Sequence, residues 1–226
     1  MKAVVFDVKG TIAHFRRPDT TATHLTYPFI TPTAAKGMVG AILGITDFVT
    51  NDQVGIQLLN PVRTSAQQLS MIKDGGNAFN RPTTIELLVQ PAYRIYYVGK
   101  EYVEELADKL EKGQSVFPTY LGTAYALSFP KFVFYENSVS IIPPGEKVET
   151  KTVVPVDLIG ELIFQEDRYL SRAGGFLKDY LGERNFEKSL SYIYEKNGQS
   201  IAFQLKEEIA DKMKVAIVGG ESVCLV

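Results

Sequence analysis

The apolar run Ala3-Val4-Val5-Phe6 ends in Asp7 and is followed by Lys9-Gly10-Thr11. An aspartate at a strand end can be a phosphoryl-accepting nucleophile, but that chemistry needs an Asp-x-Asp pair and further carboxylates to hold magnesium in oxygen ligands. The second acid is replaced by Lys9, and the sequence contains no Asp-Asp pair. Asp7 is therefore read as a strand-end residue satisfied by nearby backbone. More informative is the segment that follows. Between Lys9 and Lys36 stand Lys9, His14, Arg16, Arg17, His24, Tyr27 and Lys36, opposed only by Asp19, and both histidines of the protein fall here. Basic groups in a threonine-rich loop suit phosphate contacts, and threonine hydroxyls can add hydrogen bonds to phosphate or 2′-OH groups.

Other chemical signatures are thin. Ser70-Met71-Ile72-Lys73 matches Ser-x-x-Lys without its partner motifs. The sequence has no phosphate-binding Gly-x-x-x-x-Gly-Lys, no dinucleotide fingerprint and no cysteine/histidine cluster for zinc. No metal or cofactor is expected.

The elements that must position the basic segment read as follows. Lys2 to Val8 is a strand apolar on both faces, as a central strand is. Thr11 to Thr33 holds seven threonines and no helical period, and a long ordered loop of this kind is commonly functional. Thr31 then caps a helix, Pro32 occupies its first position and Gly44 its left-handed end. Gly37, Gly40 and Gly44 in that helix each cost about 1 kcal/mol relative to alanine, which close approach to a strand or to a polymer backbone must offset.

Strands are expected at Gln53–Val62 and Thr84–Val98. Between them, "QQLSMIKDGGNAFNRP" centres on turn chemistry and predicts a protruding hairpin. "KEYVEELADKLEKG" is an amphipathic helix with acids in its first turn and lysines in its last. "SVFPTYLGTAYALSF" reads as a further strand. The order is βαββαβ, the ferredoxin-like arrangement of RNA-recognition (RRM) domains. After about residue 130 the texture turns to strands and turns, with hairpins expected at "KFVFYENSVSII" and around Asn197-Gly198 in "SYIYEKNGQSIAF". The fold class is α+β: an RRM-like domain over 1–130 and a β-rich C-terminal region over 131–226 packed on it.

The chain of 226 residues suits one large domain or two small ones. No apolar run can span a membrane, no secretory signal is visible, and the single Cys224 suits a reducing cytoplasm. The net charge of −2 offers no bulk attraction to nucleic acid, but its distribution is uneven. Residues 1–100 carry ten Lys/Arg against six Asp/Glu, and residues 101–226 fourteen against twenty. One face toward a polyanion and another toward solvent or protein would follow.

"GTIAHFRRP" followed by "TYPFITPTAAKGMVGAILG" resembles the N-terminal signature of the CRISPR-associated Cas-five family of RAMP proteins. The matching residues are Gly10, Ala13, Phe15, Arg16, Tyr27, Pro28, Pro32, Gly37, Gly40 and Gly44, and "FPTYLGTAYAL" resembles the Tyr-Leu-Gly segment of type I-B members. The resemblance implies a subunit of Cascade, the CRISPR surveillance complex, that holds the 5′ handle of crRNA and wedges a thumb between handle and spacer. The thumb would be Leu69–Asn80, with Lys73 near its tip and Leu69, Met71, Ile72 and Phe79 as apolar wedges. Arg81 and Arg94 are further RNA candidates, Arg94 sharing a strand face with Tyr96. Implied partners are crRNA, the backbone and large subunits of Cascade and, indirectly, target DNA.

Some relatives cut precursor RNA without metal, and His24, Tyr27 and Lys36 could supply a base, an acid and a cation. The cutting type I-C members carry a Lys-His pair deep in the chain. Here no Lys-His dipeptide exists and no histidine follows His24. Non-catalytic RNA binding is the favoured expectation, with a metal-independent endoribonuclease as the alternative and a pure protein scaffold as a third class.

Overall fold

The computed structural model describes residues 1–73, 79–209 and 212–226. In chain order the first half gives β1 (Lys2–Lys9), β2 (Ile12–Ala13), α1 (Pro32–Leu43), β3 (Gln53–Leu58), β4 (Thr64–Lys73), β5 (Phe79–Val89), β6 (Ala92–Gly99), α2 (Val103–Glu111) and β7 (Lys131–Glu136). There follow β8 (Ser140–Ile141), β9 (Lys147–Thr150), β10 (Val154–Pro155), β11 (Ile159–Ile163), β12 (Leu170–Tyr180) and β13 (Phe186–Glu195). The last strands are β14 (Ile201–Leu205), β15 (Lys214–Val218) and β16 (Glu221–Leu225). The molecule is α+β and rich in antiparallel sheet.

A four-stranded antiparallel sheet in the order β3-β6-β1-β7 is the frame. Its central strand β1 is buried on both faces, as its unbroken apolar run requires. Val4, Phe6 and Val8 face the core that holds Ile42 of α1 and Leu106 of α2. Ala3 and Val5 face the opposite way, together with Tyr96 and Val98, against Ala216, Val218, Val223 and Leu225 of β15 and β16. The C-terminal hairpin thus roofs one face of this sheet.

Helix α1 begins and ends as its sequence dictates. The Thr31 hydroxyl accepts from the Ala34 N–H at 3.1 Å, Pro32 opens the helix, and Gly44 closes it at φ 85°. The two interior glycines differ. A Cβ on Gly40 would stand 2.7 Å from Phe48, whereas one on Gly37 would meet nothing within 4 Å. Close approach therefore explains Gly40, through an aromatic ring rather than a strand or a polymer, and leaves Gly37 unexplained. The approach to α2 is fixed from a distance: the Asp52 carboxylate accepts the N–H groups of Lys100, Glu101 and Tyr102 at 2.8–3.1 Å.

The structure corrects four local expectations. The run Thr84–Val98 is two strands, because Gln90 turns at φ 50° before Pro91, which can donate no ladder hydrogen bond. Residues 115–129 are a turn-rich loop, and the strand completing the sheet is β7. "KFVFYENSVSII" is not a hairpin: β7 pairs with β1 and β8 with β15. The Asn197-Gly198 turn likewise separates β13, in the sheet β10-β13-β12, from β14, in the sheet β11-β14-β9.

The expected protruding hairpin is present as β4 and β5, paired from Thr64↔Leu88 to Lys73↔Phe79, with β2 on its other side. The Lys-Asp-Gly-Gly-Asn centre beyond Lys73, and the side chains of Ile72, Lys73 and Phe79, lie outside the described residues. The first and second halves meet in one core, where the Phe29 ring stacks on Phe176 at 4.8 Å and meets Tyr192 and Tyr194 edge-on. Burying such rings contributes about 1.5–3 kcal/mol each, plus a further gain from edge-to-face geometry.

Candidate nucleic-acid interface

The basic loop is tied down from three directions. Tyr27 N–H donates to Phe15 O at 2.8 Å and Arg17 N–H to Leu25 O at 2.9 Å, so the two limbs of the loop run antiparallel. His24 N–H donates to Thr84 O and Glu86 N–H to His24 O, which lays the loop along β5. Gly122 supports it from below: at φ 79°, any Cβ there would lie 2.2 Å from the His14 carbonyl oxygen. The Tyr-Leu-Gly segment thus buttresses this loop.

The threonines do less than expected for a ligand. Thr26 accepts from Phe15 N–H at 2.9 Å, Thr20 donates to Arg17 O and accepts from Leu25 N–H, and Thr31 caps α1. Those hydroxyls are consumed in shaping the loop; Thr11, Thr21 and Thr23 in this stretch stand exposed.

The predicted basic residues divide by whether their charge is already spent. Arg17 grips Asp19 through two hydrogen bonds of 3.1 and 2.6 Å. Arg94 grips Asp7 in the same forked manner at 2.8 and 3.0 Å, and Tyr96 is buried with its hydroxyl donating to Gln57 at 2.8 Å. The strand face of Arg94 and Tyr96 is therefore not an open stacking surface. Lys36 is 7% exposed and bonded to Asp179 on β12 at 2.5 Å. Lys9, Arg16 and Arg81 are exposed.

His14 is buried, its Nδ1 2.8 Å from the Glu86 carbonyl oxygen. Burial holds its pKa below the usual histidine value, so it is a neutral ring and not a phosphate-binding cation. His24 is also shifted down, first by burial and then by its basic neighbours, Arg16 foremost. His24 bridges to Ile85 of β5, the strand that carries Arg81, and Arg16 bridges to Thr26 on the same loop, so these residues share the hairpin side of the molecule.

His24, Tyr27 and Lys36 are not assembled as a reacting set. Tyr27 is buried, tilted against Phe176 at 4.4 Å, and its hydroxyl donates to the Gly175 carbonyl at 2.5 Å. Lys36 is held by Asp179, and His24 lies against β5.

Beside the loop runs an open polar groove of about 490 Å³, within the roughly 300–1,000 Å³ of ligand-sized sites. One wall is the loop and hairpin, with Arg17, Thr26, Tyr27, Thr64 and Glu86; the other is β12 and β13 with the residue just beyond, bearing Arg172, Gly174, Tyr194 and Lys196. A β-bulge between Ala173 and Phe176 shapes the second wall. Arg172 and Lys196 are exposed, and neither side chain has a hydrogen-bond or ion-pair partner among the described residues. Sequence reasoning missed both, along with Glu86. The only local signal was Gly174-Gly175 inside an otherwise strand-like run, which marks a bulge or close backbone approach.

Similarity to known proteins agrees with this architecture. The fold, an α+β scaffold with a long hairpin and several antiparallel sheets, is shared with a CRISPR protein from Archaeoglobus fulgidus at 14% identity and TM-score 0.59, covering 99% of this chain and 98% of that one. A chain of a CRISPR RNA-guided surveillance complex aligns with TM-score 0.52 at 11% identity, over 89% of this chain and 90% of the other. A chain of a type III-B Cmr-beta complex bound to cognate target RNA gives 0.50 at 11% identity, over 89% and 86%. Identities this low speak to fold alone. No curated protein matches the sequence significantly. The sequence itself matches the family described as CRISPR-associated protein (Cas_Cas5) over residues 3–217, and the chain belongs to that family.

Proposed function

We propose that this chain is a non-catalytic RNA-binding subunit of a type I CRISPR surveillance complex (Cascade), capping the 5′ handle of crRNA. The observation that carries the reading is the groove between the basic loop and the β12–β13 ribbon, with Arg172 and Lys196 left unpaired on its wall. Unpaired cations release counterions when they meet phosphates, whereas Arg17, Lys36 and Arg94 would first have to surrender a carboxylate. Arg16 and Arg81 extend the positive surface toward the hairpin.

The RRM-like reading of the N-terminal half is supported by β1, α1, β3, β6, α2 and β7, which keep the order strand, helix, strand, strand, helix, strand once β2 and the β4–β5 hairpin are set aside as insertions, with β1 and β6 central in the sheet. The hairpin of β4 and β5 serves as the thumb, with Leu69 and the exposed Met71 as wedges. Backbone and large subunits find apolar surface on the loop before β7, where Val116, Phe117, Tyr120, Leu127 and Phe129 are exposed. Target DNA is met through guide pairing. A cytoplasmic site of action fits the buried free Cys224, and no helix among the described residues is long and apolar enough to cross a membrane.

The test is to purify the full chain, add RNA bearing a repeat-derived 5′ handle in the presence of a chelator, and follow both binding and cleavage. Tight, salt-sensitive binding with intact RNA is expected. Product ending in a 2′,3′-cyclic phosphate would replace the binder by the metal-independent nuclease, and assembly without any RNA would favour the scaffold.

A further inference from the structure

The groove that carries the proposed function contains one group that phosphate binding does not explain. Glu86 lies on its wall within electrostatic reach of His14 and Arg17, yet it forms no ion pair with either. One carboxylate oxygen, Oε2, accepts the Thr26 N–H at 3.1 Å, which holds the group in place. No hydrogen bond of the described residues uses Oε1. A carboxylate placed beside a phosphate path weakens every phosphate contact by like-charge repulsion. A groove meant only for a polyanion would be better with a neutral side chain at this position.

We infer that Glu86 reads a base, and that the base it selects is guanine. An ionised carboxylate is acceptor-only, so it must face a donor. Single-stranded RNA offers donors on the Watson–Crick edges of splayed bases. Guanine presents two adjacent donors, N1–H and the N2 amino group, on one edge. Adenine and cytosine present one amino donor beside an unprotonated ring nitrogen, and that lone pair faces the carboxylate unfavourably. Uracil presents one N–H between two carbonyl oxygens, the least favourable edge. The predicted order is guanine first, adenine and cytosine next, uracil last.

The two walls divide the work. Glu86 on β5, fixed by Thr26, takes the base edge. Arg172 on β12 and Lys196 just after β13 take the flanking phosphates, beside the bulge between Ala173 and Phe176. Phosphate contacts position the strand and the carboxylate supplies discrimination. This inference rests on the RNA-binding reading of the same groove.

The experiment displaces a fluorescein-labelled handle RNA from the full chain with the four nucleoside 3′,5′-bisphosphates. The guanosine compound should compete at about tenfold lower concentration than the uridine compound. In Glu86→Gln that ranking should collapse, because an amide offers one acceptor and one donor; in the double variant Arg172→Ala/Lys196→Ala all four should weaken together. Equal potency of the four compounds, or no displacement by any of them while the labelled RNA remains bound, overturns guanine reading and leaves RNA binding standing. Failure of the wild-type chain to bind the labelled RNA at all overturns the proposed function itself. Should Glu86→Gln fail to fold, the wild-type ranking decides alone.

Discussion

The ammonium of Lys36 on α1 lies 2.5 Å from a carboxylate oxygen of Asp179 on β12, and that carboxylate also has Lys178 at 3.5 Å. Lys178 is itself almost fully buried and bonded to Glu187 at 3.1 Å. A residue that the sequence offers to RNA thus fastens the first helix to the C-terminal ribbon.

Replacing Lys36 by methionine should cost about 2–3 kcal/mol of stability, the usual worth of a hydrogen bond to a charged group. Lys178 remains to offset part of the stranded charge. Urea unfolding measures the loss, and RNA affinity per folded molecule should stay at the wild-type value. A tenfold loss of affinity at unchanged stability would return Lys36 to the RNA surface.

The same pair sets an acid limit. Burial alone would raise the Asp179 pKa, but the Lys36 charge, its hydrogen bond and Lys178 outweigh that and hold the carboxyl below its ordinary value. A depressed folded pKa gives stability that is present above the unfolded value of about 3.9 and is lost as pH falls through the folded one. The urea midpoint should therefore drop below about pH 4. Lys36→Met should flatten that drop.

Gly40 and Gly37 predict opposite signs from one substitution. Gly40→Ala forces a methyl group into Phe48 and should destabilise by about 1–3 kcal/mol. Gly37→Ala meets open space and should stabilise by up to about 1 kcal/mol through helix propensity. Thermal unfolding of the two variants separates them.

These contrasts show what local sequence can reveal. The Thr31-Pro32 start and Gly44 stop of α1 are decided by neighbours in the chain, and β1 carries both its faces in its own residues. Which strand pairs with which is not a local property. The turn at Asn197-Gly198 reverses the chain, but β13 pairs backward with β12 while β14 pairs with the earlier strands β9 and β11, and the two separate. The groove is hidden for a related reason: Arg172 and Lys196 are scattered cations until β12 pairs with β13, and the conspicuous Lys36 and Arg94 each meet an acid far away in the chain, whereas Arg17 meets Asp19 only two residues on.

Salt dependence distinguishes spent from available charge. Arg172→Ala and Lys196→Ala should each lower the slope of log affinity against log salt by about 0.7, one phosphate contact on single-stranded RNA. Arg94→Ala should leave that slope unchanged and cost about 1 kcal/mol or less of stability, since its partner Asp7 is about a third exposed. A fluorescence anisotropy series across salt concentrations for the three variants reads out the difference.

The hydroxyl of Tyr27 that rests on Gly175 spans 148 positions of the chain. During synthesis the basic loop leaves the ribosome long before β12 and β13 exist to form the facing wall, and contacts so distant in sequence close late in folding. If the groove is the proposed RNA site, a nascent chain has no grip on RNA, and the binding wall is complete only once translation has passed β13.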